Sequence, residues 1–131
     1  AISAAGARLE HRAEEVREAA VAALGQVAER GDGRVVEEAT SRLKHPAADV
    51  RRAAVDALAQ VAQQGSESAF LALKARLGDA DPRVRVAAVE ALAAVTVPGD
   101  ERAVAALRAM QEDPEVRVRQ AVRALAHSRK W

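Results

Sequence analysis

The chain has 131 residues, half of them apolar but only 2% aromatic, and no cysteine, so it has neither a disulfide framework nor a thiolate metal site. Lys and Arg number 20 against 19 Asp and Glu, a formal charge of +1. This lacks the basic excess of a dedicated nucleic-acid binder, and no apolar run approaches the roughly 18 residues of a membrane span.

The first element, AISAAGARLEHR, carries Ile2, Ala5 and Leu9 on one helical face. The second, VREAAVAALGQVAERGD from Val16, returns as VRRAAVDALAQVAQQGS from Val50 and VRVAAVEALAAVTVPGD from Val84, a step of 34 residues each time. A degraded copy, VRQAVRALAHSRK, starts at Val118. A fixed period of this size marks a solenoid whose units contact only their neighbours. The same offset carries Ala1, Ile2, Ala5 and Leu9 onto Val35, Val36, Ala39 and Leu43, then Ala69, Phe70, Leu73 and Leu77, then Ala103, Val104, Leu107 and Gln111.

Asp32, Ser66 and Asp100 are the right types for N-caps of the first helices. Gly31, Gly65 and Gly99 suit the stop of the helix before. Pro46, Pro82 and Pro114 fall where the second helices would start. The second helices carry one inward stripe: Val16, Ala20, Leu24, Val27; Val50, Ala54, Leu58, Val61; Val84, Ala88, Leu92, Val95. Phe70 is expected to be buried between repeats two and three. Eight helices are expected, over about 1–11, 14–30, 34–44, 47–64, 67–77, 82–96, 101–111 and 114–128.

The expected fold is all-α, an α-solenoid of stacked antiparallel helix pairs. It forms one domain of about four repeats, near 1–32, 33–66, 67–100 and 101–131. In the last repeat Asp113, Val118 and Arg119 keep the 34 step, while Val122 and Leu125 match Val89 and Leu92 at 33, which leaves the register of the last helix open. The first residue is Ala1 and falls inside a repeat, without a signal-peptide pattern, so a processed chain or a segment of a longer one is expected.

The motif Val-Arg-x-Ala-Ala-Val-x-Ala-Leu at Val16–Leu24, Val50–Leu58 and Val84–Leu92 resembles HEAT repeats, and more closely the short HEAT-like repeats named after phycobilisome lyases. The resemblance implies a HEAT/armadillo-like superhelix acting mostly as a scaffold. It also implies a ladder in which a turn Asp precedes an Arg by six residues: Asp79 with Arg85, and Asp113 with Arg119. His11 and His45 occupy the Asp position ahead of Arg17 and Arg51.

As metal ligands the two histidines would be roughly 8–10 Å apart on stacked helices, too far to share a zinc with bonds of about 2 Å. Turn capping or a ladder substitute is the expected role. Arg17, Arg51, Arg85 and Arg119 could form a phosphate stripe, but Glu14, Glu15, Asp49, Asp79, Asp81 and Asp113 recur beside them and favour ion pairing. The serines have no His–acid partner at a recognisable spacing. No catalytic residue, metal or cofactor is therefore expected.

The second-helix face, including Glu18, Arg52, Asp56, Val86 and Glu90, is expected to line the concave side and hold a partner. From Glu115 to Trp131 the side chains sum to 5 − 1 = +4, so Arg119, Arg123 and Lys130 are expected to meet an acidic partner or dock peripherally on an anionic membrane. The functional expectation is a non-enzymatic protein-binding scaffold or a subunit of a larger assembly. The alternatives are a bilin-lyase-type protein handling a pigment or its apoprotein, and an accessory subunit docked on a membrane-bound complex such as a photosynthetic one. The compartment stays open, with the cytoplasm as default and an organelle as the alternative.

Overall fold

The computed structural model describes residues 2–27 and 33–128, with the backbone alone at Val27. It is all-α, with eight α-helices, one 3-10 turn and no strand among the described residues. The chain divides into two compact units, Ala1–Gln63 and Gln64–Trp131.

The first unit contains α1 (Ile2–Arg8), α2 (Glu14–Val27), α3 (Gly33–Thr40) and α4 (Ala48–Val61). α1 pairs with α2 and α3 with α4; α1 then lies along α3, and α2 along α4. This is the stacking of antiparallel pairs that defines an α-solenoid. Ala5, Leu9, Ala20, Leu24, Val35, Ala39, Leu43, Val50, Ala54 and Leu58 form its core. Small residues set the helix spacing. The Glu38 side chain fills the space that a Cβ on Gly6 would need, and a Cβ on Gly25 would come 3.5 Å from that of Gln60.

The second unit contains α5 (Glu67–Arg76), α6 (Pro82–Val95), α7 (Glu101–Ala109) with a 3-10 turn at Met110–Glu112, and α8 (Val116–His127). α6 packs against α5, α7 and α8. Its core is Ala69, Phe70, Leu73, Leu77, Val84, Ala88, Leu92, Val95, Ala103, Leu107, Val118 and Val122. Of the expected inward stripes, only Val16 is half-buried rather than buried, and Val27 lies outside the described side chains.

The first helices end earlier than the sequence suggests. Leu9, Leu43 and Leu77 lie beyond the last α-helical turn, where amides bond three residues back: Leu9 to Gly6, Leu43 to Thr40 and Leu77 to Lys74. They remain buried, so the apolar period runs past the helix into the turn. Gln111, their counterpart in the last repeat, is exposed.

Ser66 accepts from the Ala69 amide and Asp100 from those of Arg102 and Ala103, so both are N-caps. Asp32 and Gly31 lie outside the described residues. Gly65 and Gly99 are not helix stops: α4 and α6 end at Val61 and Val95, with Ala62 and Thr96 as their C-caps. The glycines instead take φ of 87° and 85° immediately before the caps, a turn conformation that a Cβ disfavours. Of the prolines only Pro82 opens a helix. Pro46 and Pro114 each precede an N-cap residue, Ala47 and Glu115.

The second helices start at Glu14, Ala48, Pro82 and Val116, a uniform step of 34. The last helix therefore keeps the 34-residue register. Val118 and Val122 stand where Val84 and Ala88 stand, all at 0% exposure, and Arg123 takes the place of Val89.

Candidate functional site

The turn between the two helices of a repeat is built identically four times. His11 and His45 accept the amide of the second residue on, Ala13 and Ala47, through Nδ1 at 3.0 Å. Asp79 and Asp113 accept from Asp81 and Glu115 through Oδ1 at 2.9 Å. A histidine nitrogen that accepts carries no proton, so the neutral rings bear theirs on Nε2. Six residues later an arginine closes the turn by donating Nη1 to the carbonyl: Arg17 to His11 at 2.9 Å, Arg51 to His45 at 2.9 Å, Arg85 to Asp79 at 2.7 Å and Arg119 to Asp113 at 2.6 Å.

Within each unit the same arginine reaches the next repeat. Arg85 binds Asp113 through two bonds, Nε to Oδ2 at 2.9 Å and Nη2 to Oδ1 at 3.2 Å. Its counterpart Arg17 faces a repeat that has His45 in place of that Asp, and pairs with Asp49 at 3.8 Å. The His45 Nε2 edge instead meets Glu10 at 3.3 Å. Glu10 also accepts from Arg42 at 2.9 Å, and Arg42 donates to Glu38 at 2.7 Å. Only the Glu38–Arg42 pair, at i,i+4, has a spacing that marks it in the sequence; Glu10 meets Arg42 and His45 at 32 and 35 residues, on either side of the 34-residue period.

In the second unit Phe70 is 3% exposed. The Arg102 guanidinium lies 4.4 Å over its ring and holds Glu67 through two bonds of 2.8 Å. That hydrogen bond holds the Glu67 carboxyl below its ordinary range and raises Arg102 in turn. The apolar period marks Phe70 but not Arg102, whose one signal is that it is a cation one repeat and one residue after Glu67.

The expected partner-binding residues fall on the second helices. Glu18 is exposed on α2, and Arg52 exposed and Asp56 half-buried on the adjacent α4. Val86 is half-buried and Glu90 exposed on α6, with Arg119 half-buried and Arg123 exposed on the adjacent α8. Lys130 lies outside the described residues. No group of three or more His, Asp or Glu is placed to hold a metal among the described residues. No described helix is long and apolar enough to cross a membrane.

The chain matches the family model for HEAT repeats twice, over residues 2–79 and 36–126. No curated protein matches it. Together the two matches cover residues 2–126, so the chain belongs to the HEAT-repeat family.

Proposed function

We propose that the chain is a non-enzymatic scaffold that binds a protein partner through the exposed face of its second helices. HEAT repeats commonly form such scaffolds. The observation that carries the reading is a division of labour among charges. The turn arginines each close their own turn, and Arg17 and Arg85 also hold the next repeat. Glu18 and Arg52 stand at repeat-equivalent positions and Glu90 one helical turn further along; all three are exposed and make no hydrogen bond or ion pair among the described residues. They contribute nothing to the core, and a helical-repeat surface uses such positions for an extended partner. The α8 side with Arg119 and Arg123 is a second docking surface, suited to an acidic protein. No observation singles out the pigment-handling or membrane-complex readings over this one.

The test is quantitative affinity capture followed by mass spectrometry, using wild type and an Arg52→Glu, Glu90→Arg variant with unchanged melting temperature. The reading requires a stoichiometric partner that the variant loses. A partner retained by the variant would move the site elsewhere.

A further inference from the structure

Two of the four turns are held by a histidine and two by a carboxylate, and the two kinds answer acid differently. Ala13 and Ala47 stand immediately before α2 and α4. Their carbonyls accept the first amides of those helices: Val16 and Arg17 donate to Ala13, and Val50 and Arg51 to Ala47. Their own amides donate to Nδ1 of His11 and His45 at 3.0 Å. Each ring therefore fixes the residue on which a second helix begins.

An imidazole accepts only through a nitrogen that carries no proton. A ring that takes a second proton is a donor at both nitrogens, so its bond from the amide is lost whatever surrounds it. A carboxyl group differs, because one oxygen still accepts when the other is protonated. Asp79 and Asp113 hold the Asp81 and Glu115 amides at 2.9 Å through one oxygen each, and can do so in either state.

The charges around the histidines do not replace the lost bond. Nε2 of His45 lies 3.3 Å from Glu10, which also accepts from Arg42, and Arg42 is shared with Glu38. Glu10 can pair with a charged ring at Nε2, on the side away from the Ala47 amide. Arg51 of α4 donates to the His45 carbonyl rather than to the ring, and Arg17 of α2 pairs with Asp49 of α4. At the first turn Arg17 donates to the His11 and Arg12 carbonyls. Glu10 beside it is taken up by Arg42 and His45, and no described acid pairs with the His11 ring. His11 is exposed and His45 half-buried, so water reaches both rings.

We infer that the first unit carries a proton-operated release in its turns: protonation of His11 and His45 frees the Ala13 and Ala47 amides and loosens the starts of α2 and α4, while the turns of the second unit stay closed. Imidazole side chains change charge between about pH 5 and 8, so mild acid operates the release. Glu18 and Arg52 lie in the first two turns of the loosened helices, so the release acts on the first unit's share of the proposed binding face. It stands or falls independently of that face.

Nuclear magnetic resonance on the whole chain tests it, following ring nitrogens and amides together from about pH 7.5 to about pH 5. Nδ1 of each histidine is expected to pass from acceptor to protonated. Protection of the Ala13 and Ala47 amides from exchange, corrected for pH, is expected to fall about 5-fold, the usual value of one neutral hydrogen bond, with the midpoint of their own ring. The Asp81 and Glu115 amides are the internal control and are expected to hold. His45→Asp is expected to abolish the change at Ala47 and leave that at Ala13, and His45→Asn replaces it if it does not fold. The inference is overturned if Nδ1 stays unprotonated down to about pH 5, if the rings take the proton and the Ala13 and Ala47 amides hold, if all four amides loosen together, or if the change at Ala47 survives the substitution. None of these outcomes bears on the scaffold reading, which partner capture decides.

Discussion

Arg85 and Asp113 join two successive repeats through a two-bond contact at 2.9 and 3.2 Å, with only 14% and 7% of their side chains exposed. Each also serves its own turn: Arg85 closes on the Asp79 carbonyl, and Asp113 caps the Glu115 amide. One pair thus fixes the turn and the stacking together.

Replacing Asp113 with Ala removes the cap and leaves the Arg85 guanidinium without its carboxylate. The expected cost is about 2–4 kcal/mol, since removing one partner of a largely buried pair strands the other. Asp113→Asn keeps a capping oxygen and loses only the charge, so it should cost less. Urea unfolding of the two variants checks the order, and an Ala variant no worse than Asn would show that the cap and the rung are not additive there.

His45 does half of what Asp113 does. It caps the Ala47 amide but offers Arg17 no carboxylate. His45→Ala should lose about 1 kcal/mol, the usual value of a neutral capping bond. His45→Asp keeps the cap and places a carboxylate at the spacing that joins Arg85 to Asp113, so it should be clearly more stable than His45→Ala. Zinc should leave the melting temperature of wild type and both variants unchanged. Thermal melts with and without zinc decide both points.

The helix type, the 34-residue unit, the buried stripes and the burial of Phe70 were legible in the sequence because each follows from a local apolar period. The N-caps Ser66 and Asp100 were legible for the same reason: capping is a contact within three residues. The helix ends and the roles of Gly65 and Gly99 were misread, because a buried Leu77 looks helical in the pattern whether its amide bonds three or four residues back. Arg102 over Phe70, and Arg42 on Glu10, join elements 32 residues apart, two short of the period. No single-sequence pattern marks such pairs.

Phe70→Ala should cost about 3–5 kcal/mol, the usual range for emptying a buried phenyl site. That is a large part of a total stability of roughly 5–15 kcal/mol. Arg102→Ala should destabilise in the same direction and by less, because the guanidinium is exposed and covers only one ring face. Chemical unfolding ranks the two, and an Arg102 variant as damaging as Phe70→Ala would make the cation the principal support.

The Glu67–Arg102 pair also sets a pH dependence. Hydrogen bonding to Arg102 lowers the folded-state pKa of Glu67 from its ordinary value of 4.5. A group lowered on folding stabilises above its unfolded value and loses that contribution as pH falls through the folded one. The difference in melting temperature between wild type and Glu67→Gln should hold above the ordinary value of 4.5 and shrink as pH falls below it. A difference that does not change on acidification would remove the carboxylate from the account.

The central claim is that the second helices carry the binding face of a protein scaffold. Hydrogen exchange on the captured complex tests it most directly. The account predicts slowed exchange on α2, α4, α6 or α8 around Glu18, Arg52, Glu90 or Arg123, with α1, α3, α5 and α7 unchanged. Protection confined to the first helices, or none anywhere on the chain, would contradict it.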